Sequence, residues 1–242
     1  MKVGFVITTH NSKLNPDGNK DTNEFIKSIV ECVNYNYEII LIDNTSIPKY
    51  SDVHSTENSN YTFVEDQTLT GMTGAWNLGI NIAIASGCDI INNCNNDLIF
   101  NSSINGYIKK IAACPLKDDF IFGPLTNRGG APGHFQERCN TIKNQESEVT
   151  GRRIGLNGFM MSFYKEFYLK HNMNGFLFST DKKYIWDAQE HELRHRLRGK
   201  GVREFVIHDA MVFHKKRRNW LKAKEETTGI NRPYWSSEWE IK

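Results

Sequence analysis

Short apolar runs alternate with amphipathic stretches over the first hundred residues. The runs are rich in β-branched and aromatic side chains and end abruptly at polar residues, as buried strands do. They occupy residues 3–7, 38–42, 61–64 and 90–91. Between them, apolar side chains recur at helical spacing after residue 24 and over residues 74–86. Alternating strands and helices predict a doubly wound α/β sheet.

A turn and a helix start are predicted between the first two strands. Residues 15–18 read Asn-Pro-Asp-Gly, a combination typical of turns. Asp21 and Glu24 follow with the spacing of a capping box, which predicts that the helix begins there.

The second half of the chain is less regular. Its pattern predicts a strand at 120–122, a core strand within 156–163, a helix over 186–197 and two short strands at 205–207 and 211–213. His214 and a basic run, residues 215–218, follow the last of these strands.

Polar residues gather where the predicted strands end. In doubly wound sheets, ligands bind beyond the carboxyl ends of the strands. The groups here are residues 8–11 (Thr-Thr-His-Asn), 43–46 (Asp-Asn-Thr-Ser) and 95–97 (Asn-Asn-Asp). The pattern therefore predicts a binding site at this edge of the sheet.

Composition excludes several classes of protein. Hydrophobic residues are 39% and aromatics 12% of 242 residues, too apolar for a disordered chain. No apolar run approaches the roughly 18–20 residues of a membrane helix, so we expect a soluble, cytoplasmic protein. The five cysteines include no Cys-x-x-Cys pair, which favours reduced thiols over a zinc site or a disulfide framework.

Charge is unevenly distributed along the chain. Residues 1–147 carry 11 basic and 16 acidic side chains, a net −5, whereas residues 148–242 carry 19 and 12, a net +7. The C-terminal part therefore suits an anionic ligand such as a phosphate, although a solvated basic face has the same composition.

Five stretches in order resemble the inverting glycosyltransferases of the GT-A fold, family 2, a group that includes rhamnosyltransferases. They span roughly residues 3–220. The matching stretches are residues 5–11 (FVITTHN), 41–46 (LIDNTS), 71–79 (GMTGAWNLG), 95–97 (NND), and 189–193 (QEHEL) followed by Arg196 and Gly201. The resemblance implies a single GT-A domain over residues 1–220 with a mixed central sheet. Residues 1–100 would form its nucleotide-binding half, residues 101–220 its acceptor-binding half, and residues 221–242 a C-terminal tail.

The resemblance also implies a nucleotide-sugar donor and a divalent metal, Mn²⁺ or Mg²⁺. Asp97 stands at the metal-binding acid of the family's DXD motif, where Asn95 replaces the first acid and would touch ribose or metal-bound water. His214 stands at a second metal or diphosphate position. The donor-nucleotide residues would be Thr8, His10, Asn11, Asp43, Asn77, Asn95 and Lys215. His10 replaces a stacking Tyr, which leaves the preferred base open.

Glu190 aligns with the catalytic Asp of the family and would act as the general base, with Glu192 as the alternative. Structural roles remain open for all of these residues. Asp43 suits an Asx turn, Asp97 a loop cap, His214 a core contact, and either glutamate an ion pair with Arg194 or Arg196.

The acceptor is not visible in the sequence. A saccharide is the family's usual acceptor, and modified (hydroxymethylated) phage DNA is a second candidate because of the basic C-terminal part. A catalytically inactive module that binds a nucleotide sugar or a partner also fits, since Asn95, Gln189 and Glu190 depart from the family pattern. A dinucleotide-dependent dehydrogenase is disfavoured because residues 71–74 lack Gly-x-Gly-x-x-Gly spacing. The oligomeric state is open.

Overall fold

The structure is a computed structural model that describes residues 1–50, 60–66, 71–127, 146–148, 156–181, 189–197 and 199–215, and the single residues 225 and 229. The strands are β1 (Val3–Thr9), β2 (Tyr37–Asn44), β3 (Tyr61–Asp66), β4 (Ile90–Asn95), β5 (Leu98–Ile99), β6 (Phe120–Thr126), β7 (Glu146–Glu148), β8 (Met160–Tyr164) and β9 (Arg203–His214). The helices are α1 (Gly18–Cys32), α2 (Gly71–Ala85), α3 (Ile104–Ala112), α4 (Lys165–His171) and α5 (Gln189–Leu197).

One mixed sheet organises the described residues, in the order β3-β2-β1-β4-β8-β6-β9-β5, with β7 paired to β9. Strands β1 to β4 are parallel to one another, which confirms the α/β architecture of the N-terminal part. Strand β8 is antiparallel to both β4 and β6 and makes the sheet mixed.

Two apolar layers cover the sheet. Helices α1 and α3 pack on one face, where α1 buries Phe25, Ile26 and Ile29 at helical spacing. Helices α2, α4 and α5 contribute to the core on the other face, and α2 is buried there through Trp76 and Ile80. Both faces of β1 and β2 are therefore buried, which is why these strands read as nearly continuous apolar runs.

Several predicted boundaries differ from the structure. Helix α1 begins at Gly18, before the predicted capping box, and Asp21 lies in its first turn. The core strand begins at Met160 rather than near residue 156. The two predicted C-terminal strands are one strand, β9, whose pairing with β6 is interrupted between Ile207 and Met211 by a bulge.

Helices α3 and α4 and the two-residue strand β5 were not predicted. Strand β5 pairs with the end of β9, and this pairing is long-range, so no local periodicity indicates it. Of the predicted elements, residues 186–188 of the helix predicted over 186–197 lie outside the described residues. So do the basic residues 216–218 and, apart from residues 225 and 229, the tail 221–242.

Among the described helices, none has the length and apolar character needed to cross a membrane.

Candidate functional site

The carboxyl ends of β1, β2 and β4 meet at one edge of the sheet. Thr8 is in register with Asn95 of β4, and Thr9 is in register with Asp43 of β2. The three predicted polar groups therefore lie side by side, as the parallel arrangement requires.

The Asp97 carboxylate lies beside the His214 imidazole at this edge. Their Oδ1 and Nε2 atoms are 3.2 Å apart, and both side chains are at least nine-tenths buried. Strand pairing causes the contact, since Leu98 of β5 is in register with His214 of β9, and the Lys215 N–H donates to the Asp97 carbonyl at 3.0 Å. The His214 ring also stacks on Phe159, with 5.2 Å between centroids.

Asn96, between Asn95 and Asp97, has a structural role that the sequence did not indicate. Its buried side-chain amide donates to the Gly18 carbonyl at 3.2 Å and to Thr22 Oγ1 at 3.0 Å, both in α1. The Asn95–Asp97 turn is thereby anchored to the first helix as well as to the last strand.

Glu190 lies beside Gly158, the residue before Phe159. It is in the first turn of α5, and a Cβ built on Gly158 would be 3.2 Å from its Oε2. Phe159 stacks on His214, and its carbonyl accepts the Asn95 N–H at 2.8 Å. Consecutive residues of one segment thus contact Glu190, at Gly158, and His214, at Phe159.

Glu192, the alternative base, is engaged elsewhere. Its Oε1 accepts a hydrogen bond from Arg196 Nε at 3.0 Å, one turn along α5. This is the helix ion pair that the sequence left open for either glutamate.

A second carboxylate, Glu204 of β9, is buried near α5. It accepts the Leu156 N–H at 3.0 Å and lies 3.8 Å from Arg194. Burial raises the pKa of Glu204, and the charge of Arg194 opposes the rise. Glu204 therefore ties the start of the 156–159 segment to the last strand.

Asp43 closes its own loop. Its two oxygens accept the N–H groups of Ser46 and Tyr50, each at 3.2 Å, which is the Asx-turn role that the sequence left open. The carboxylate retains lone pairs for a ligand, but it is held by backbone on both oxygens.

His10 and Asn11 both contact the loop that follows β2, and Thr8 precedes them at the end of β1. His10 Nδ1 lies 2.7 Å from the Asn44 carbonyl, and the Asn11 N–H donates to Ser46 Oγ at 2.9 Å. Thr8 Oγ1 and the amide of the fully buried Asn44 have no hydrogen-bond partner within the described structure. Asn44 was missed as a candidate because nothing in the sequence distinguishes it from the other asparagines.

Asn77 and Lys215, the remaining predicted donor residues, both make contacts within the fold. The buried Asn77 amide makes three hydrogen bonds to the backbone of Leu177 and Phe178. Lys215 Nζ lies 2.7 Å from Asp21 Oδ1 and also contacts Glu24. Burial lowers the pKa of Lys215, but its hydrogen bonds to these carboxylates outweigh this effect, and the pKa is raised overall. Both side chains are committed to other parts of the protein.

Asp97 and His214 place a carboxylate and an imidazole, two groups that can bind a metal ion, 3.2 Å apart. Within the described residues, no group of three or more His, Cys, Asp or Glu side chains is arranged around one point. Any further ligand of a cation at this edge would come from outside the described His, Cys, Asp and Glu side chains.

Comparison with solved structures identifies the fold. The crystal structure of GalNAc-T7 with UDP, GalNAc and Mn²⁺ matches with a TM-score of 0.61 at 14% identity, covering 88% of this chain and 44% of that one. The crystal structure of S. aureus TarS 1-349 matches with a TM-score of 0.62 at 13% identity, covering 93% and 64%. The chain thus has the GT-A fold. It spans less than two thirds of either neighbour, and at these identities the likeness establishes the fold alone.

Comparison by sequence adds nothing further, because no family model and no curated protein sequence matches the chain.

Proposed function

We propose that this protein is a nucleotide-sugar-dependent glycosyltransferase that transfers a sugar to an acceptor hydroxyl with inversion, as in family 2. The observation that carries the proposal is the 3.2 Å contact between Asp97 and His214 at the edge of the sheet where α/β proteins bind ligands. Glu190, beside Gly158 of the segment whose Phe159 stacks on His214, supplies a separate carboxylate. The GT-A fold supports the same assignment.

The chemistry of the two side chains suits a divalent cation. Adjacent ligands of an octahedral Mg²⁺ or Mn²⁺ ion lie about 3 Å apart, given metal–oxygen distances of about 2.0–2.1 Å. The Asp97–His214 separation of 3.2 Å agrees with that spacing. Asp97 and His214 would be protein ligands of this cation. When bound, the cation would neutralise charge on the departing nucleoside diphosphate.

Glu190 is the proposed general base. Its carboxylate takes the proton of the acceptor hydroxyl while the hydroxyl oxygen forms a bond to the anomeric carbon and the bond from that carbon to the diphosphate breaks. The pairing of Glu192 with Arg196 favours Glu190 over its neighbour for this role.

The proposed donor pocket lies at the ends of β1, β2 and β4. Thr8, with its unpartnered hydroxyl, and His10 and Asn11 would line the nucleotide base, and Asn95 would contact ribose or metal-bound water. Asp43 would shape the donor pocket by holding the loop that follows β2, in addition to any direct contact with the nucleotide.

We propose a saccharide as the acceptor. Modified DNA is the alternative that the basic C-terminal part suggests. The first residue of the basic run, Lys215, however, pairs with Asp21 and Glu24 of this protein. This favours a saccharide acceptor over DNA.

The decisive experiment is metal-dependent binding of the donor nucleotide. A panel of nucleoside diphosphates and nucleotide sugars would be titrated with and without Mn²⁺ into the wild type, Asp97→Ala and Asp118→Ala. Asp118 is an exposed aspartate that pairs with Lys170, and it serves as the matched control. We expect one nucleotide to bind with Mn²⁺ to the wild type and to Asp118→Ala, and its affinity to be lost in Asp97→Ala.

Two results would contradict the proposal. If no nucleotide binds to the wild type, the chain has the GT-A fold without a donor site. If a nucleotide sugar binds but is neither transferred nor hydrolysed, the chain is an inactive binding module, the alternative that the departures at Asn95 and Glu190 leave open.

A further inference from the structure

The backbone of Leu177 and Phe178 is held by a side chain from α2. Asn77 Oδ1 accepts both N–H groups, at 3.1 Å from Leu177 and 3.0 Å from Phe178, and Asn77 Nδ2 donates to the Phe178 carbonyl at 2.9 Å. All three residues are buried. The amide thus uses its acceptor twice and its donor once on a segment one hundred positions away.

A side chain from α5 holds the same segment from the other side. The Arg196 guanidinium donates to the Leu177 carbonyl at 2.5 Å and to the His171 carbonyl at 3.1 Å. Its Nε donates to Glu192, which neutralises its charge within the half-buried contact. Helix α5, which carries Glu190, is therefore fixed to the backbone that Asn77 holds.

The 177–178 segment is also in contact with the surroundings of Glu190. The Phe178 ring packs on Trp76, with 5.1 Å between centroids. Trp76 and Glu190 then converge on Gly158, where an added Cβ would be 3.1 Å from Trp76 Cη2 and 3.2 Å from Glu190 Oε2. Trp76 and the Glu190 carboxylate thus both lie next to Gly158.

We infer that Asn77 and Arg196 are positioning residues that orient Glu190 through the 177–178 segment, and that Asn77 is not a ligand of the donor nucleotide. This inference rests on the proposed role of Glu190 as the base. Asn77 hydrogen-bonds the 177–178 backbone, and Phe178 packs on the Trp76 indole beside Glu190. Arg196 bonds the same backbone from α5, the helix that carries Glu190. Misplacement of a reacting group by about 1 Å costs about 10²-fold in rate, so loosening either contact should lower turnover.

The test compares Asn77→Ala with Asn81→Ala. Asn81 lies one turn later on α2, and its Nδ2 donates to the Gly175 carbonyl at 3.1 Å, so it holds the same loop away from Glu190. We expect Asn77→Ala to lower kcat by about 10- to 100-fold, in line with a displaced base. The Kd for the nucleoside diphosphate should stay within about twofold of wild type, because the substitution removes no contact to the bound nucleotide. Asn81→Ala should leave both values near those of wild type.

Arg196→Lys supplies an independent variant in case Asn77→Ala does not fold. It keeps the positive charge but loses the planar group that reaches two carbonyls at once, and it should reproduce the kcat loss at unchanged nucleotide affinity. Amide hydrogen exchange in the free protein gives a readout that needs no substrate. Exchange over residues 189–193 should increase in Asn77→Ala and stay unchanged in Asn81→Ala.

The outcomes separate this inference from the proposed function. A rise in nucleotide Kd that matches the loss of kcat/KM would make Asn77 a donor ligand and overturn the inference. Unchanged kcat in both Asn77→Ala and Arg196→Lys would also overturn it. If the wild type turns over no donor, the proposed function fails, and equal exchange over residues 189–193 in the two asparagine variants would then reject the positioning role as well.

Discussion

Lys215, at the end of the last described strand, places its ammonium 2.7 Å from Asp21 Oδ1 in the first turn of the first helix. The Asp21 side chain is fully buried and Lys215 is 13% exposed, so this is a buried ion pair joining residues 194 positions apart. Lys215 directly follows His214, and its N–H binds the Asp97 carbonyl. Lys215 therefore joins the backbone beside the proposed metal site to the first helix.

Replacement of Lys215 should chiefly affect stability. Lys215→Met leaves Asp21 as a buried charge without its ammonium partner, and breaking such a pair typically costs about 3 kcal/mol or more. We expect urea denaturation to show a loss of this order, partly recovered in the double variant that also carries Asp21→Asn. Lys170→Met, which removes an exposed lysine that pairs with Asp118 and Asp119, is the control and should lose much less. Unchanged stability with weakened nucleotide binding would instead make Lys215 a diphosphate ligand.

The two acidic residues of α5 should respond differently to the same conservative change. Glu190→Gln removes the proposed base and should lower kcat by about 10²–10⁴-fold, the usual contribution of general-base catalysis. Glu192→Gln keeps an oxygen that accepts the Arg196 hydrogen bond, and should change kcat far less. Initial rates with saturating donor measure both. Equal losses in the two variants, or a larger loss in Glu192→Gln, would show that the base is assigned to the wrong residue.

His171 should make stability depend on pH. Its ring is buried against Phe167, with Nε2 2.9 Å from the Asp118 carbonyl, and burial lowers its pKa from the ordinary 6.5, against the effects of Asp118 and Asp119. The unfolded chain therefore takes up this proton more readily than the folded one, and the stability that His171 contributes, complete above about pH 6.5, falls as pH drops toward the lowered pKa.

The measurement is the free energy of unfolding at pH 7.5 and pH 5.5, compared between variants. His171→Gln should show a smaller loss of stability between the two pH values than the wild type. His195→Gln, at an exposed position of α5, should keep the wild-type dependence. Identical pH dependence in His171→Gln and the wild type would exclude the buried imidazole as the cause.

Two helix glycines should give opposite results on replacement by alanine. A Cβ on Gly79 would be 2.3 Å from Val6 Cγ1, because α2 approaches β1 too closely for a side chain there. Gly79→Ala should destabilise the protein by about 1–3 kcal/mol, the typical cost of overpacking. Gly106 of α3 has nothing nearer than 3.7 Å, so Gly106→Ala should add about 0.5–1 kcal/mol through helix propensity. Thermal denaturation measures both, and equal effects would mean that the α2–β1 contact is not tight.

The predictable part of the fold is the part with local periodicity. Strands β1 to β4 and helix α2 were predicted because their apolar positions repeat along the chain, and the parallel topology follows from their alternation with helices. The place of the polar groups at one edge of the sheet was predicted as well, because each group directly follows an apolar run. Strand β5 and the bulge in β9 were not, since both arise from pairing between residues far apart in the sequence.

Individual side chains of the site were less predictable than its location. Asp43, Asn77 and Lys215 stand where the resemblance implies donor contacts, yet their hydrogen bonds in the fold go to backbone and to carboxylates of α1. A motif fixes the type of residue at a position but not the groups around it. The roles assigned to Asp97, His214 and Glu190 remain predictions that the proposed experiments test.

The sequence by itself determined the class of fold and the edge of the sheet where a ligand would bind, because strand and helix periodicities and the polar residues that end strands are local properties of the chain. Only the tertiary structure decided which of those polar residues meet. The contact between Asp97 and His214 depends on the pairing of β5 with β9, and the place of Glu190 depends on Gly158 having no side chain. These contacts join segments that share no local pattern, and they form only when the sheet and its helices pack together.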